Sequence, residues 1–191
     1  KSRLGVTQSL VNLVARLEKK PQSFISGSAV GYYGDQQDQV VTEVTRPQDE
    51  FSHQLCRKWE EEATSVSSYQ VRLCILRTGL VVGAGGGFLR QMLLPFKFGL
   101  GGRLGSGSQW MPWIHMADIV GLIRWCIEDR SCEGIYNGTA PAPVTNREFT
   151  QVLGQVLKRP TMLPVPAVAL QLLMGELSQL LLTGQRALPQ R

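Results

Sequence analysis

The sequence predicts an α/β protein built on a parallel sheet. Three observations carry this. Stretches with helical apolar spacing alternate with short apolar strands. The run at residues 71–77 alternates at first and is then nearly all apolar, the pattern of a strand covered on both faces. The connections between these stretches are of modest length, as helix-strand-helix-strand architectures require.

Taken in order, Val6, Leu10, Leu13, Val14 and Leu17 recur with helical spacing and predict a first helix with one apolar face. It ends near Lys19, Lys20 and Pro21, with cations at the negative helix end and a proline stop. A buried strand is expected at about residues 23–26. Residues 36–50 are polar, contain Pro47 and read as a surface loop. Leu55, Trp59 and Ala63 predict a helix over residues 51–64, followed by the strand at 71–77. Gly85 to Gly87 opens a short helix expected to stop at Pro95, and Gly99 to Gly107 reads as a mobile loop. Met116, Ile119, Val120, Ile123 and Ile127 predict another helix, and a short strand follows at 134–137. Thr145 and Glu148 form a capping box, with Phe149, Val152, Leu153, Val156 and Leu157 as the expected buried face.

The 191 residues suffice for one domain with a core or for a domain plus a small lobe, and the 43% hydrophobic fraction belongs to a folded chain. The net charge of +5 is spread without dense runs or interleaved aromatics, so no nucleic-acid partner is expected. Four cysteines without a C-x-x-C pair and only two histidines argue against zinc. Cys74 and Cys126 lie in apolar runs and read as core thiols, which fits a reducing, cytoplasmic setting. No stretch approaches the ~20 apolar residues of a membrane span, so no membrane partner is expected.

The segment "FISGSAVGYYGD" at 24–35 delivers a serine, Ser28, at a strand end, followed by a tyrosine pair. Enzymes that transfer hydride use such a serine beside a tyrosine that removes a proton. Free tyrosine titrates near ~10 and needs a lysine one helical turn later to stabilise its phenolate. That pair is absent: Tyr32, Tyr33, Tyr69 and Tyr136 are followed four residues on by Gln36, Gln37, Leu73 and Ala140. No G-x-G-x-x-G loop is present to hold a pyrophosphate. By residue chemistry alone, Ser28 also fits a strand-end backbone partner, Arg3 a surface cation, and Trp110 and Trp113 ordinary core residues. His53 reads as solvated, and His115 and Asp118 as structural residues at a helix start.

Six segments in order, "FISGSAVGYYGD", "FSHQLCRKWE", "LRTGLVVGAGGG", "LPFKFGLGGRLGSGSQWMPWIHMADIV", "NGTAPAPVTNREFT" and "GQRALP", resemble the atypical epimerase-like branch of the extended short-chain dehydrogenase/reductases. Members are commonly called nucleoside-diphosphate-sugar epimerases. The resemblance implies the later half of a doubly wound parallel Rossmann sheet with a small, mostly helical substrate lobe. It implies that roughly ninety residues, with the first strand and glycine loop, precede Lys1. It divides the chain into residues 1–84 as the later part of the cofactor domain, 85–133 as substrate lobe and connecting helix, 134–144 as a strand returning to the sheet, and 145–191 as the C-terminal helical lobe.

The same resemblance assigns candidate residues. Ser28 matches the active-site serine. Ser52 and Cys56 fall where the tyrosine and lysine would stand and cannot do their work. Arg3, Leu80 and Val81 are the cofactor candidates, Arg3 because its fork of donors suits phosphate oxygens. Gln109 and Trp110 are the substrate candidates. The implied cofactor is NADP, with NAD as the alternative, and the implied activity is an NAD(P)-dependent oxidoreductase or epimerase on a small hydroxylated or nucleotide-sugar substrate. The alternative, which the missing pair favours, is an NADP(H)-binding regulatory protein without catalysis. An unpaired sheet edge is compatible with a homodimer.

Overall fold

The computed structural model describes residues 2–191. Helix α1 spans Ser2–Arg16 and strand β1 Ser23–Ala29. A short strand β2, Val40–Val41, precedes helix α2, Phe51–Thr64, and strand β3, Arg72–Thr78. Strand β4, Leu80–Val82, leads into helix α3, Gly87–Lys97. Strands β5, Trp110–Met111, and β6, Trp113–His115, run into helix α4, Met116–Glu128, and strand β7, Gly134–Gly138. Strand β8, Val144–Thr145, caps helix α5, Asn146–Leu157. Helices α6, Ala167–Met174, and α7, Gln179–Leu182, and strand β9, Arg186–Ala187, complete the chain.

The main sheet has the order β1-β3-β7, all parallel. Parallel neighbours need crossovers; α2 lies between β1 and β3 in the chain, and α4 between β3 and β7. Val11 and Val14 of α1 pack with Ala63, Val66, Leu73 and Ile75 in one buried cluster. Cys74, Leu76, Ile114, Ile119, Cys126 and Tyr136 form a second. Alternate residues of β3 therefore feed two cores, which is why its sequence is apolar on both faces. Full burial of a side chain such as Leu76 contributes about 1.5–3 kcal/mol. The fold is the Rossmann-like α/β arrangement that the sequence predicts.

Lysine closes α1 as its position at the helix end suggests. Lys20 Nζ donates to the carbonyls of Val14, Ala15 and Leu17 at 2.9, 2.8 and 2.7 Å. The capping box is also present: Glu148 Oε2 accepts from the Thr145 N–H at 2.7 Å, and Thr145 Oγ1 accepts from the Glu148 N–H at 3.3 Å.

Several expectations are corrected. The loop at 36–50 is not all surface, because β2 pairs in parallel with β9 and buries Val41. Helix α3 runs through Pro95 to Lys97. That proline stands in the last turn, where one lost hydrogen bond costs little continuity. The 99–107 segment is tied down: Asn146 Oδ1 accepts from the Leu104 N–H at 2.8 Å and Val165 O from the Gly105 N–H at 2.9 Å. His53 is buried, its Nδ1 2.8 Å from the Tyr32 carbonyl. Helical periods are right but the covered faces often differ. Val6, Leu10 and Leu13 of α1, and Val152 and Val156 of α5, are exposed, while Thr7, Val11, Asn146 and Thr150 are buried.

Candidate functional site

The register of the sheet places three polar residues in one row at the carboxyl ends of its strands: Ser28 pairs with Arg77, and Arg77 with Asn137. Such side chains are buried only if they find partners. Helix α2 supplies one. Glu60 takes two bonds from Arg77, Nε to Oε1 at 2.9 Å and Nη2 to Oε2 at 2.8 Å. The Ser28 hydroxyl donates to Glu60 Oε1 at 2.6 Å. Arg77 Nη1 reaches the Tyr33 hydroxyl at 3.2 Å, and that hydroxyl donates to Asn137 Oδ1 at 2.7 Å. Tyr32 stacks on the guanidinium, its ring centre 3.3 Å from Arg77 Cζ. The result is a continuous buried chain from Ser28 to Asn137.

Electrostatics fix the protonation of this chain. Burial by itself would lower the Arg77 pKa, but the bonds and charge of Glu60 hold it above its ordinary value. Burial raises the Tyr33 hydroxyl against the opposing pull of Arg77. Burial raises the Cys56 thiol, and the Glu60 charge adds to it. Tyr33 and Cys56 are therefore neutral near pH 7, and neither is poised to take a proton.

Two clefts open above this row and share Ala29, Thr78 and Gly79. The first, of about 690 Å³, is lined by Arg3, Ser28, Cys56, Trp59 and Val81. The second, of about 420 Å³, is lined by Ser52, Leu80, Phe88, Gln109, Trp110 and Met111. Strand ends in a parallel sheet make such crevices, and these volumes lie in the ~300–1,000 Å³ range of ligand sites. Gly79 is the seam: a Cβ there would run into the Pro112 carbonyl, where the Leu80 N–H donates to Pro112 O at 2.7 Å. Close approach of the two segments brings β4 and β5 to one wall.

The structure thus brings Arg3, Ser28 and Val81 to one cleft, and Leu80, Gln109 and Trp110 to its neighbour. Leu80, a cofactor candidate by sequence, faces the second cleft. Arg3 Cζ lies 5.2 Å from the centre of the Trp59 ring, and both residues line the first cleft. Ser52 and Cys56 open one onto each cleft. His115 is a helix cap, Nδ1 accepting from the Ala117 N–H at 3.2 Å. Sequence reasoning missed Glu60, Arg77 and Asn137. The available signal was Arg77, a cation inside the apolar run "RLCILRT", since a buried charge demands a partner. Cys56, Cys74, Cys126 and Cys132 are free and buried, and no metal-binding cluster occurs among the described residues.

A parallel sheet between helices, with a crevice at its strand ends, defines the Rossmann-like class. Within that class, residues 1–137 match the model of the NAD dependent epimerase/dehydratase family, and the chain belongs to it. Residues 165–191 match a domain of unknown function, DUF1731. The chain is 42% identical over 192 residues to the Arabidopsis thaliana Epimerase family protein SDR39U1 homolog, chloroplastic, covering 100% of this chain and 55% of that protein. It is similar to the crystal structure of human epimerase family protein SDR39U1 (isoform2) with NADPH, at TM-score 0.91 and 36% identity, over 98% of this chain and 64% of that one. It is also similar to the nucleoside-diphosphate sugar epimerase from Corynebacterium glutamicum, at TM-score 0.79 and 31% identity, over 98% of this chain and 36% of that one. The chain therefore spans about half to two thirds of the length of the Arabidopsis and human relatives.

Proposed function

We propose that the chain provides the nicotinamide-facing part of an NADP(H)-dependent oxidoreductase or epimerase acting on a small hydroxylated or nucleotide-linked substrate. NAD is the alternative cofactor; the human relative solved with NADPH favours NADP. The carrying observation is that Ser28, Val81 and Arg3 line one cleft at the strand ends. The lining fits the group: the Arg3 guanidinium would suit phosphate, Ala29 and Val81 offer small apolar surface that a ring would pack on, and Ser28 offers a hydroxyl. The division into cofactor part and substrate lobe near residue 85 belongs to the same reading, because Gln109 and Trp110 face the second cleft.

A nicotinamide bound there supplies an acceptor or donor for a hydrogen carried with its electron pair. The chain's own part is to orient the reacting oxygen. Ser28 gives its hydrogen to Glu60, so its lone pairs meet the ligand. A substrate hydroxyl can donate to Ser28 Oγ, because the Ser28 hydrogen is committed to Glu60 Oε1 and Glu60 in turn to Arg77. Oxidation of that alcohol would send the carbon's hydrogen with its electron pair to the nicotinamide and the hydroxyl proton to a base other than the absent tyrosine–lysine pair.

The second reading is an NADP(H)-binding regulatory protein without turnover, favoured by the neutral Tyr33 and Cys56. Titration of NADPH into wild type and Ser28→Ala separates the two. The first reading predicts cofactor binding unchanged within about twofold and turnover on a broad alcohol and carbonyl panel reduced by ~10²-fold or more in the variant. Tight cofactor binding with no turnover by wild type on that panel would favour the second.

Among the described residues no helix is long and apolar enough to cross a membrane. Four buried free thiols fit a reducing compartment, with cytoplasm the proposed one; the Arabidopsis relative's name places that protein in the chloroplast. A homodimer through the open sheet edge is also proposed.

A further inference from the structure

We infer that the second cleft takes a neutral, largely apolar alcohol, or the matching carbonyl compound, and not a nucleoside diphosphate sugar. The inference rests on the reading of the first cleft as the cofactor site and concerns only what lies beside it.

A diphosphate needs cations and free donors. The described residues lining this cleft include no Lys, Arg or His, and the charged one is acidic, Glu50. Apart from the Ser52 hydroxyl, the side-chain donors there already bond within the protein. Gln109 Nε2 donates to the Leu104 and Leu181 carbonyls at 3.1 and 2.8 Å. Trp110 Nε1 donates to Asp38 Oδ1 at 2.9 Å, and Gln185 Nε2 to Gly34 O at 2.8 Å. The Thr183 hydroxyl donates to Gln179 O at 2.8 Å, and Asn146 Nδ2 to Met111 Sδ at 3.4 Å. Two guanidiniums stand outside the lining: Arg186 Cζ lies 4.7 Å from the Trp110 ring centre, and Arg147 Nη2 donates to Ser106 O at 3.2 Å.

What remains toward the cleft is of two kinds. The apolar wall is built from Phe88, Leu104, Trp110, Met111 and Leu181. The polar remainder is Gln109 Oε1, the Glu50 carboxylate, whose Oε1 also accepts from the Asp35 N–H at 3.1 Å, and the Ser52 hydroxyl, donor and acceptor, for which the described residues supply no partner. Across the shared seam, Ser28 Oγ presents lone pairs as well. Acceptors over an apolar wall select a ligand that carries a hydroxyl donor on an apolar body. A pyrophosphate would lose its hydration there and meet a carboxylate.

The test uses the full chain, with and without NADPH, and follows tryptophan emission against a Trp110→Phe control. Menthol, a neutral apolar alcohol, is expected to give a saturable change that the control lacks. UDP-glucose at equal concentration is expected to give none. Menthyl methyl ether keeps the body and loses the donor, and is expected to bind about tenfold more weakly. A saturable Trp110-dependent response to UDP-glucose, or no response to menthol, would overturn the inference. Cofactor binding is read separately from NADPH emission. If NADPH fails to bind while menthol still reports through Trp110, the cofactor reading falls and the ligand class stands. If NADPH binds and UDP-glucose seats, the reverse holds.

Discussion

At the scale of single residues, the structure turns on Glu60 and Arg77. Their side chains are 10% and 2% exposed, so each ion depends on the other for its missing hydration. Removing one partner of such a pair costs about 3–5 kcal/mol, because the survivor is left charged and buried. Glu60→Leu and Arg77→Met should each lower the unfolding free energy, read from urea melts, by that order. The double variant should cost clearly less than the sum, and a strictly additive cycle would show that the pair is not coupled. Sequence made Ser28 and Val81 visible through the segments that hold them. It left Glu60 hidden, since a glutamate on an amphipathic helix reads as a solvated charge until Arg77, seventeen positions on, is known to lie beneath it. His53 was misread for the same reason: burial of a polar side chain is decided by a distant partner, here the Tyr32 carbonyl.

At the scale of elements, caps were legible and faces were not. The Thr145–Glu148 box is local, so four residues determine it. The Glu148 carboxyl is held below its ordinary 4.5 by the Thr145 N–H first and the Thr145 hydroxyl second. A depressed carboxyl stabilises the fold above its unfolded pKa and loses that contribution as pH falls through the depressed value. Glu148→Gln should therefore match wild type more closely in acid than at pH 7, by thermal melts across that range. Thr145→Ala should cost about 0.5–2 kcal/mol at pH 7. In α1 the apolar period was correct, yet Val6, Leu10 and Leu13 are exposed while Thr7 and Val11 are buried. Period marks a stripe; the neighbouring element decides which stripe is covered.

At the scale of the whole molecule, β1 stands at one end of the three-stranded order, and apolar side chains stand out on both α1 and α4, among them Leu13 at 53% and Val120 at 54% exposure. Exposed apolar surface of this extent binds hydrophobic dyes and favours association. Leu13→Lys with Val120→Lys should lower dye binding by the chain while changing its unfolding free energy by no more than about 0.5 kcal/mol each. A large loss of stability would mean that these side chains pack inside the molecule after all.

The parallel pairing of β1 and β3 explains why residues 49 positions apart in sequence, Ser28 and Arg77, come into register, and why β4, just beyond, carries Val81 to the same cleft. The most direct measurement is a crystal structure of the full chain with NADPH. The account predicts nicotinamide density between Ser28 and the Val81 main chain, with the ring's reactive carbon toward the cleft lined by Trp110. Density for that ring anywhere else on the molecule, with the space between Ser28 and Val81 left to solvent, would contradict it.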